Sequence, residues 1–297
     1  MSTAEAPAVA VPEQRVRTRK RKHRRQGQSP WIWVAVIAII IFCLFPFYWL
    51  INVSLKTGAD LSSSSLVPPH PTLKNYKSIF HNDDFTNGLK NSAIVALSVT
   101  ILALAVGSFA AYALARLKLR GKFIILGIVL SVTTFPQIAI AAPLFKLWTD
   151  INLYNTRIGL IIPYLTFALP LAIYILVSFF REIPKDLEEA ALVDGATHFQ
   201  AFRKVVVPLA APGLATAGIL TFIAAWNEFL LATTLTSSKA ARTVPAAIAF
   251  FTGSTEFEQP LGTICAASVT ISIPLIILVL LFQKRIVAGL TAGAVKG

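Results

Sequence analysis

Six apolar blocks set the rhythm of the chain, at residues 31–51, 91–115, 123–142, 158–180, 211–235 and 260–283. A helix of about 20 apolar residues crosses the ~30 Å hydrocarbon core of a bilayer. The pattern therefore predicts an all-α integral membrane protein with six transmembrane helices. Residues 52–89 are polar and carry Pro68, Pro69 and Pro71; they predict a loop with one short helix near residues 73–80. Between the fourth and fifth blocks lies a compact polar segment, EEAALVDGATHFQAFRKVVVPLAAPG, from Glu188 to Gly213.

That segment predicts two short helices within residues 184–208. Pro184 suits a first helical position, and Asp186, Glu188 and Glu189 place negative charge at the positive end of the helix dipole. A helix of about nine residues, ~14 Å at 1.5 Å per residue, follows. Asp194-Gly195 breaks it, because glycine tolerates the positive φ that ends a helix. Thr197 with Gln200 three places on is a capping-box pattern that opens a second helix. Phe199, Phe202 and Val206 share one of its faces, and Pro208 stops it. Neither helix is long enough to hold in water alone. Either the segment folds back on its own bundle as an ordinary loop, or it presents Ala190, Ala191, Gly195 and Ala196 as a low-relief surface for another protein.

Composition agrees with the block pattern. Of the 297 residues 55% are hydrophobic and 14% charged, against about 45–50% and about 25% in soluble domains. The net charge of +13 is concentrated in eight Lys and Arg at residues 15–25, just before the first block. A basic run in that place orients the first span, here read as an uncleaved signal-anchor, more readily than it binds nucleic acid. With the N-terminus inside, nineteen of the 27 Lys and Arg fall on inner segments. The positive-inside rule then puts both termini and residues 184–208 in the cytoplasm. Residues 1–30 read as a disordered basic extension, 31–283 as the membrane domain and 284–297 as a cytoplasmic tail.

No catalytic chemistry is legible. The one Gly-Lys pair, Gly121-Lys122, has Phe123 where a phosphate-binding loop needs Ser or Thr, and Arg116 where it needs glycine. The four histidines are scattered and Cys43 and Cys265 both lie in apolar blocks, so neither a metal set nor a disulfide framework emerges.

The spacing Glu189-Ala190-Ala191, Asp194-Gly195-Ala196, Phe202 and Pro208…Pro212 resembles the EAA motif of binding-protein-dependent ABC importer permeases. The carbohydrate branch, of the maltose or trehalose type, is the most similar. Trp226-Asn227-Glu228-Phe229-Leu230 and the ending VAGLTAGAVKG support the resemblance. It implies a type I importer permease, a non-catalytic subunit whose short helices couple to a separate ATPase. Glu189, Ala190, Ala191, Asp194, Gly195, Ala196 and Phe202 are then the coupling positions. Gly289, Thr291 and Gly293 of the tail give a second ATPase contact, unless the tail is simply a frayed terminus. The implied partners are a second, non-identical permease, two ATPase subunits that use ATP and Mg²⁺, and an extracytoplasmic sugar-binding protein, all at a bacterial cytoplasmic membrane. This chain itself holds no cofactor.

Polar groups at membrane depth nominate the pathway. Gln137, beside the helix-kinking Pro136, either faces a pore or bonds a neighbouring helix. Trp226, Asn227 and Glu228 lie late in the fifth span, with Glu228 about 25 Å from Ala211 along a continuous helix. They either contact sugar or, for Glu228, form an interfacial carboxylate. The competing class is an ion-gradient-driven secondary sugar transporter, which calls for a carboxylate near the midplane and an internal repeat. Glu228 is poorly placed for that, and the two halves show no repeat.

Overall fold

The computed structural model describes residues 30–251 and 260–292, with side chains over 31–251 and 260–284. The basic run at 15–25 and Gly293 lie outside the described residues. Every regular element among them is helical: α1 (Pro30–Ser54), α2 (Lys74–His81), α3 (Asp83–Arg116), α4 (Lys122–Ser131), α5 (Gln137–Asp150), α6 (Arg157–Glu182), α7 (Lys185–Val193), α8 (His198–Ala201), α9 (Val207–Leu209), α10 (Ala211–Trp226), α11 (Leu230–Leu235), α12 (Val244–Ala249) and α13 (Leu261–Ala292). Among the described residues, four helices are long and apolar enough to cross a membrane, α1, α3, α6 and α13. The number rises to six if each of two bent pairs counts as one span.

Two compact units divide at Pro46, inside α1. In the first, the described part of α1 is apolar on every face and exposed, with Trp31 at 77% and Phe42 at 81%. Such a surface suits hydrocarbon and not water. The second unit carries all the remaining elements.

Its centre is the packing of α3 against α6, with α10 laid on both. Small residues allow the approach: Gly107, Ser108 and Ala111 of α3 are buried, and a Cβ on Gly107 would sit 3.4 Å from the Cβ of Ala172. In a lipid environment such close van der Waals contact, more than the hydrophobic effect, holds helices together. Both central helices begin at side-chain caps. Asn82 Oδ1 accepts from the amides of Asp84 and Phe85, and Thr156 Oγ1 accepts from Gly159. These caps satisfy amides that the first turn leaves without a partner.

The helix breaks depart from the six-block expectation in instructive ways. The third block is bent by 84° where α4 gives way to a 3₁₀ turn and then α5. Pro136 forces the preceding Phe135 into extended backbone, φ −73° and ψ 128°. The fifth block is not one helix over 211–235. It stops at Trp226 and restarts at Leu230. Asn227 closes α10, its side-chain amide donating to the Ile223 carbonyl at 3.0 Å. Glu228 then caps the restart, its carboxylate accepting from the amides of Leu231 at 2.7 Å and Ala232 at 3.1 Å. The sixth block continues as helix to Ala292, so Gly289 and Thr291 lie in its last turns. The loop after α1 is more ordered than its composition suggests. The buried Lys56 ammonium donates to the carbonyls of Ser63 and Ser65 and sits 5.3 Å over the Trp49 ring.

At the same end of the bundle as Lys239, a buried amide organises the segment after α11. Asn91 Nδ2 donates to the carbonyls of Lys239 and Arg242, while its Oδ1 accepts from Arg157 Nε at 2.8 Å. Asn155 Oδ1 accepts from the amides of Ser237 and Ser238. The exposed Lys239–Asp83 pair adds little to this, since solvent screens it. Asn91→Leu strands two carbonyls and a guanidinium at ~1–3 kcal/mol each. A lowered thermal midpoint in detergent is the expected result, whereas Asp83→Asn should leave the midpoint where it was.

Candidate functional site: a two-helix knuckle at one end of the bundle

Pro184 takes the N-cap position of α7 rather than its first helical position. Nine residues later the helix ends as its sequence requires. Gly195 has φ +87°, Ala196 N–H donates to the Ala191 carbonyl, and Gly195 N–H donates to that of Leu192. This pair of bonds is a Schellman turn, which satisfies two carbonyls that a helix end otherwise leaves open. The capping box is formed in both directions: Gln200 N–H donates to Thr197 Oγ1, and Thr197 N–H to Gln200 Oε1.

Beyond Ala201 the chain widens into one π-helical turn over Phe202–Val206. Pro208, four residues past Lys204, has no N–H to give that carbonyl. The Val207 amide bonds instead to the Phe202 carbonyl, five residues back. A 75° bend then separates this stretch from α10. The result is a compact knuckle, two short helices with a glycine turn between them.

The knuckle has an outer and an inner face. Glu189, Ala190, Asp194 and Gly195 are exposed, Ala191 and Ala196 half-buried. Val193 stands 87% exposed beside the turn, an apolar tip that the sequence reading missed. Its signal was an aliphatic residue next to a glycine break on a polar segment. His198 is exposed, as expected.

Phe202 belongs to the inner face and not with the exposed coupling positions. It is 6% exposed and packs on Tyr112 at 4.9 Å, Phe109 at 5.2 Å and Phe180 at 6.4 Å between ring centroids. The aromatic surface that α3 and α6 offer through Phe109, Tyr112 and Phe180 holds it inward. Glu188 also points inward, although Glu189 beside it does not. Tyr112 Oη donates to Glu188 Oε1, and Arg116 Nε lies 3.4 Å from Oε2. A cleft of about 220 Å³ between α7 and the end of α3 is lined by Arg116, Lys118, Lys185, Glu188, Glu189 and His198.

The pathway candidates separate. Gln137 and Glu228 come together, lining one cavity of about 80 Å³ with Tyr164, which the sequence did not single out. Trp226 does not join them. Its indole is 5% exposed, stacked on Phe222 with centroids 5.5 Å apart and packed into the α3–α6 core. The sugar contact expected of Trp226 from the sequence is therefore not presented by this chain. Asn227 is exposed and closes α10.

Residues 103–291 match the family described as the binding-protein-dependent transport system inner membrane component. The trehalose transport system permease protein SugB of Mycobacterium tuberculosis is 54% identical, over 87% of this chain and 94% of its own. The sulfoquinovosyl glycerol transport system permease protein SmoH of Agrobacterium fabrum is 46% identical, over 86% and 89%. The trehalose/maltose transport system permease protein MalG of Thermococcus litoralis is 44% identical, over 86% and 93%. Among solved structures, a bacterial ABC transporter involved in the import of the acidic polysaccharide alginate has a chain that superposes with a TM-score of 0.71 at 26% identity, over 86% of this chain and 97% of that one. The knuckle lies within the matched region, and the chain accordingly belongs to the family of binding-protein-dependent transport system inner membrane components, the non-catalytic, multi-pass permease subunits of ABC importers.

Proposed function

We propose that this permease carries a disaccharide of the trehalose or maltose type through the bacterial cytoplasmic membrane, as half of a pathway completed by a second, non-identical permease. Two ATPase subunits, which bind and hydrolyse ATP with Mg²⁺, dock on the knuckles, and an extracytoplasmic sugar-binding protein delivers the solute. The single observation that carries the coupling role is the knuckle itself. Its inner face is locked to the bundle while Glu189, Ala190, Asp194 and Gly195 remain outward, with Ala191 and Ala196 at the rim.

In this reading Glu189 meets a basic residue of the ATPase, and the alanines and Gly195 permit close approach. The last turns of α13, at Gly289 and Thr291, and the following Gly293 supply a second contact with the ATPase pair. The excess of Lys and Arg on inner segments supports placing the knuckle and both termini in the cytoplasm. Gln137, Asn227 and Glu228 are the pathway candidates that remain, with Glu228 also serving as a helix cap. The trehalose of SugB and the trehalose and maltose of the Thermococcus protein support the substrate class; the sulfoquinovosyl glycerol of SmoH marks its nearest competitor.

The test is uptake by proteoliposomes holding this chain with its partner permease, ATPase and binding protein. Labelled trehalose should accumulate only with ATP inside the ATPase-facing compartment, and an uncoupler should leave uptake unchanged. Uptake that survives ATP removal but not the uncoupler would sink the proposal. Accumulation of sulfoquinovosyl glycerol in place of trehalose or maltose would overturn the substrate and keep the transport class.

A further inference from the structure

The two consecutive carboxylates of the knuckle point in different directions. On an α-helix, neighbouring residues project 100° apart; Glu189 is exposed, while Glu188 is buried at 8%. Both partners of Glu188 come from the last two turns of α3, and neither is near it in sequence. Tyr112 Oη donates to one carboxylate oxygen, and Arg116 pairs with the other at 3.4 Å. Arg116 has a second task, since its Nη2 donates to the Ile183 carbonyl at 2.8 Å, in the link between α6 and α7. The side chains of the pair are 5% and 11% exposed, so water screens the attraction little. Tyr112 has a second task as well: its ring packs edge-on against Phe202 at 4.9 Å. One turn of α3 thus grips α7 through Glu188 and the π turn through Phe202.

We infer that Glu188 is a positioning residue for transport, the bolt of a clasp with Tyr112 and Arg116 that carries displacement of the knuckle into α3. The inference rests on the coupling role proposed above. Covalently, α7 follows α6 and leads through α8 and the π turn to α10, so force passed along the chain reaches those two helices and not α3. The clasp adds α3, the other central helix, to the elements that the knuckle moves. A pair of apolar residues would stabilise the same contact as well or better, because a buried ion pair must offset its own desolvation. What the ion pair and the directed hydrogen bond from Tyr112 add is a fixed rotational setting of α7 against α3.

The experiment measures sugar uptake per ATP hydrolysed by the assembled complex in proteoliposomes. Glu188→Gln keeps the size of the side chain and a partner for Tyr112 but removes the charge that faces Arg116. The expected complex retains its ATPase subunits and basal hydrolysis within about twofold, while uptake per ATP falls about tenfold, ~1.4 kcal/mol of coupling. Glu189→Gln, by contrast, should weaken retention of the ATPase subunits. The charge swap E188R with R116E should recover part of the ratio lost in E188Q, because it restores the ion pair but not the hydrogen bond from residue 116 to the Ile183 carbonyl. A wild-type ratio in E188Q, or loss of uptake and hydrolysis in equal proportion as ATPase subunits dissociate, overturns the clasp. If E188Q reduces insertion, Tyr112→Phe is the milder break; a lowered ratio there supports the clasp, and either of the two contrary results overturns it. Should the wild-type complex show no ATP-driven uptake, the coupling role itself fails. The clasp is then read from hydrogen exchange of the α7 amides, which E188Q must accelerate; unchanged exchange refutes it.

Discussion

Gly195→Leu is expected to abolish sugar-stimulated ATP hydrolysis while leaving the protein inserted and folded. The residue sits at φ +87° in the turn between the knuckle helices, and a Cβ built there meets nothing within 4 Å. The side chain therefore has no clash inside this chain. Its cost at home is the left-handed backbone, ~1–2 kcal/mol for a residue with a Cβ. The two Schellman hydrogen bonds, Ala196 to Ala191 and Gly195 to Leu192, hold that conformation in place against the strain. A strain of this size alters a local equilibrium by roughly tenfold and does not unfold a bundle packed elsewhere. The larger effect comes from the isobutyl group standing outward on the face that the ATPase approaches. Loss of close seating should lower stimulated hydrolysis and uptake on the order of 100-fold, ~2.7 kcal/mol. Two controls separate strain from bulk. Gly195→Ala carries the backbone cost with little volume, and Gly195→Asn carries volume with a milder backbone cost, because Asn tolerates this region better. Activity should follow volume, with Ala the least affected. Normal stimulation in Gly195→Leu would remove the glycine turn from the coupling surface.

What the sequence made legible here was mainly what neighbouring residues decide. Gly195 and the Thr197–Gln200 box formed as read, because caps depend on chemistry three or four residues apart. The apolar blocks located the long helices, but they report only residues at lipid depth. The polar opening of α3 at Asp83, eight residues before the second block, was invisible to them. The break after Trp226 was equally hidden. Asn227 and Glu228 look like membrane polars in a hydropathy trace, yet each spends its side chain on backbone at a helix end. Direction was the hardest property to read. Trp226 faces the core and Phe202 the end of α3, both decided by helices far away in sequence. Glu188 and Glu189 cannot be distinguished without knowing that Tyr112 and Arg116 arrive on one side.

Phe202→Ala should detach the knuckle without dismantling the bundle. The ring is 6% exposed and touches aromatic groups from α3 and α6, with Tyr112 and Phe180 edge-on at 60° and 85°. Truncating a buried Phe costs ~3–5 kcal/mol, partly for the cavity left behind, and lost aromatic pairs add ~0.5–1.5 kcal/mol each. The knuckle cannot absorb that, since α7 and α8 are too short to persist unpacked. The α3–α6–α10 core around Val99, Leu160 and Ala172 does not depend on Phe202 and should keep its own packing. Proteolysis and hydrogen exchange should therefore rise across residues 185–207 while α6 amides stay protected. Uptake should be lost, and the ATPase subunits should no longer be retained. Phe202→Leu, which fills most of the cavity, should restore both in large part. The contrast with Gly195→Leu is diagnostic, because there the knuckle stays ordered and only its outward fit is spoiled. Equal protection of the knuckle in Phe202→Ala and in the wild type would show that the Glu188 clasp alone holds it.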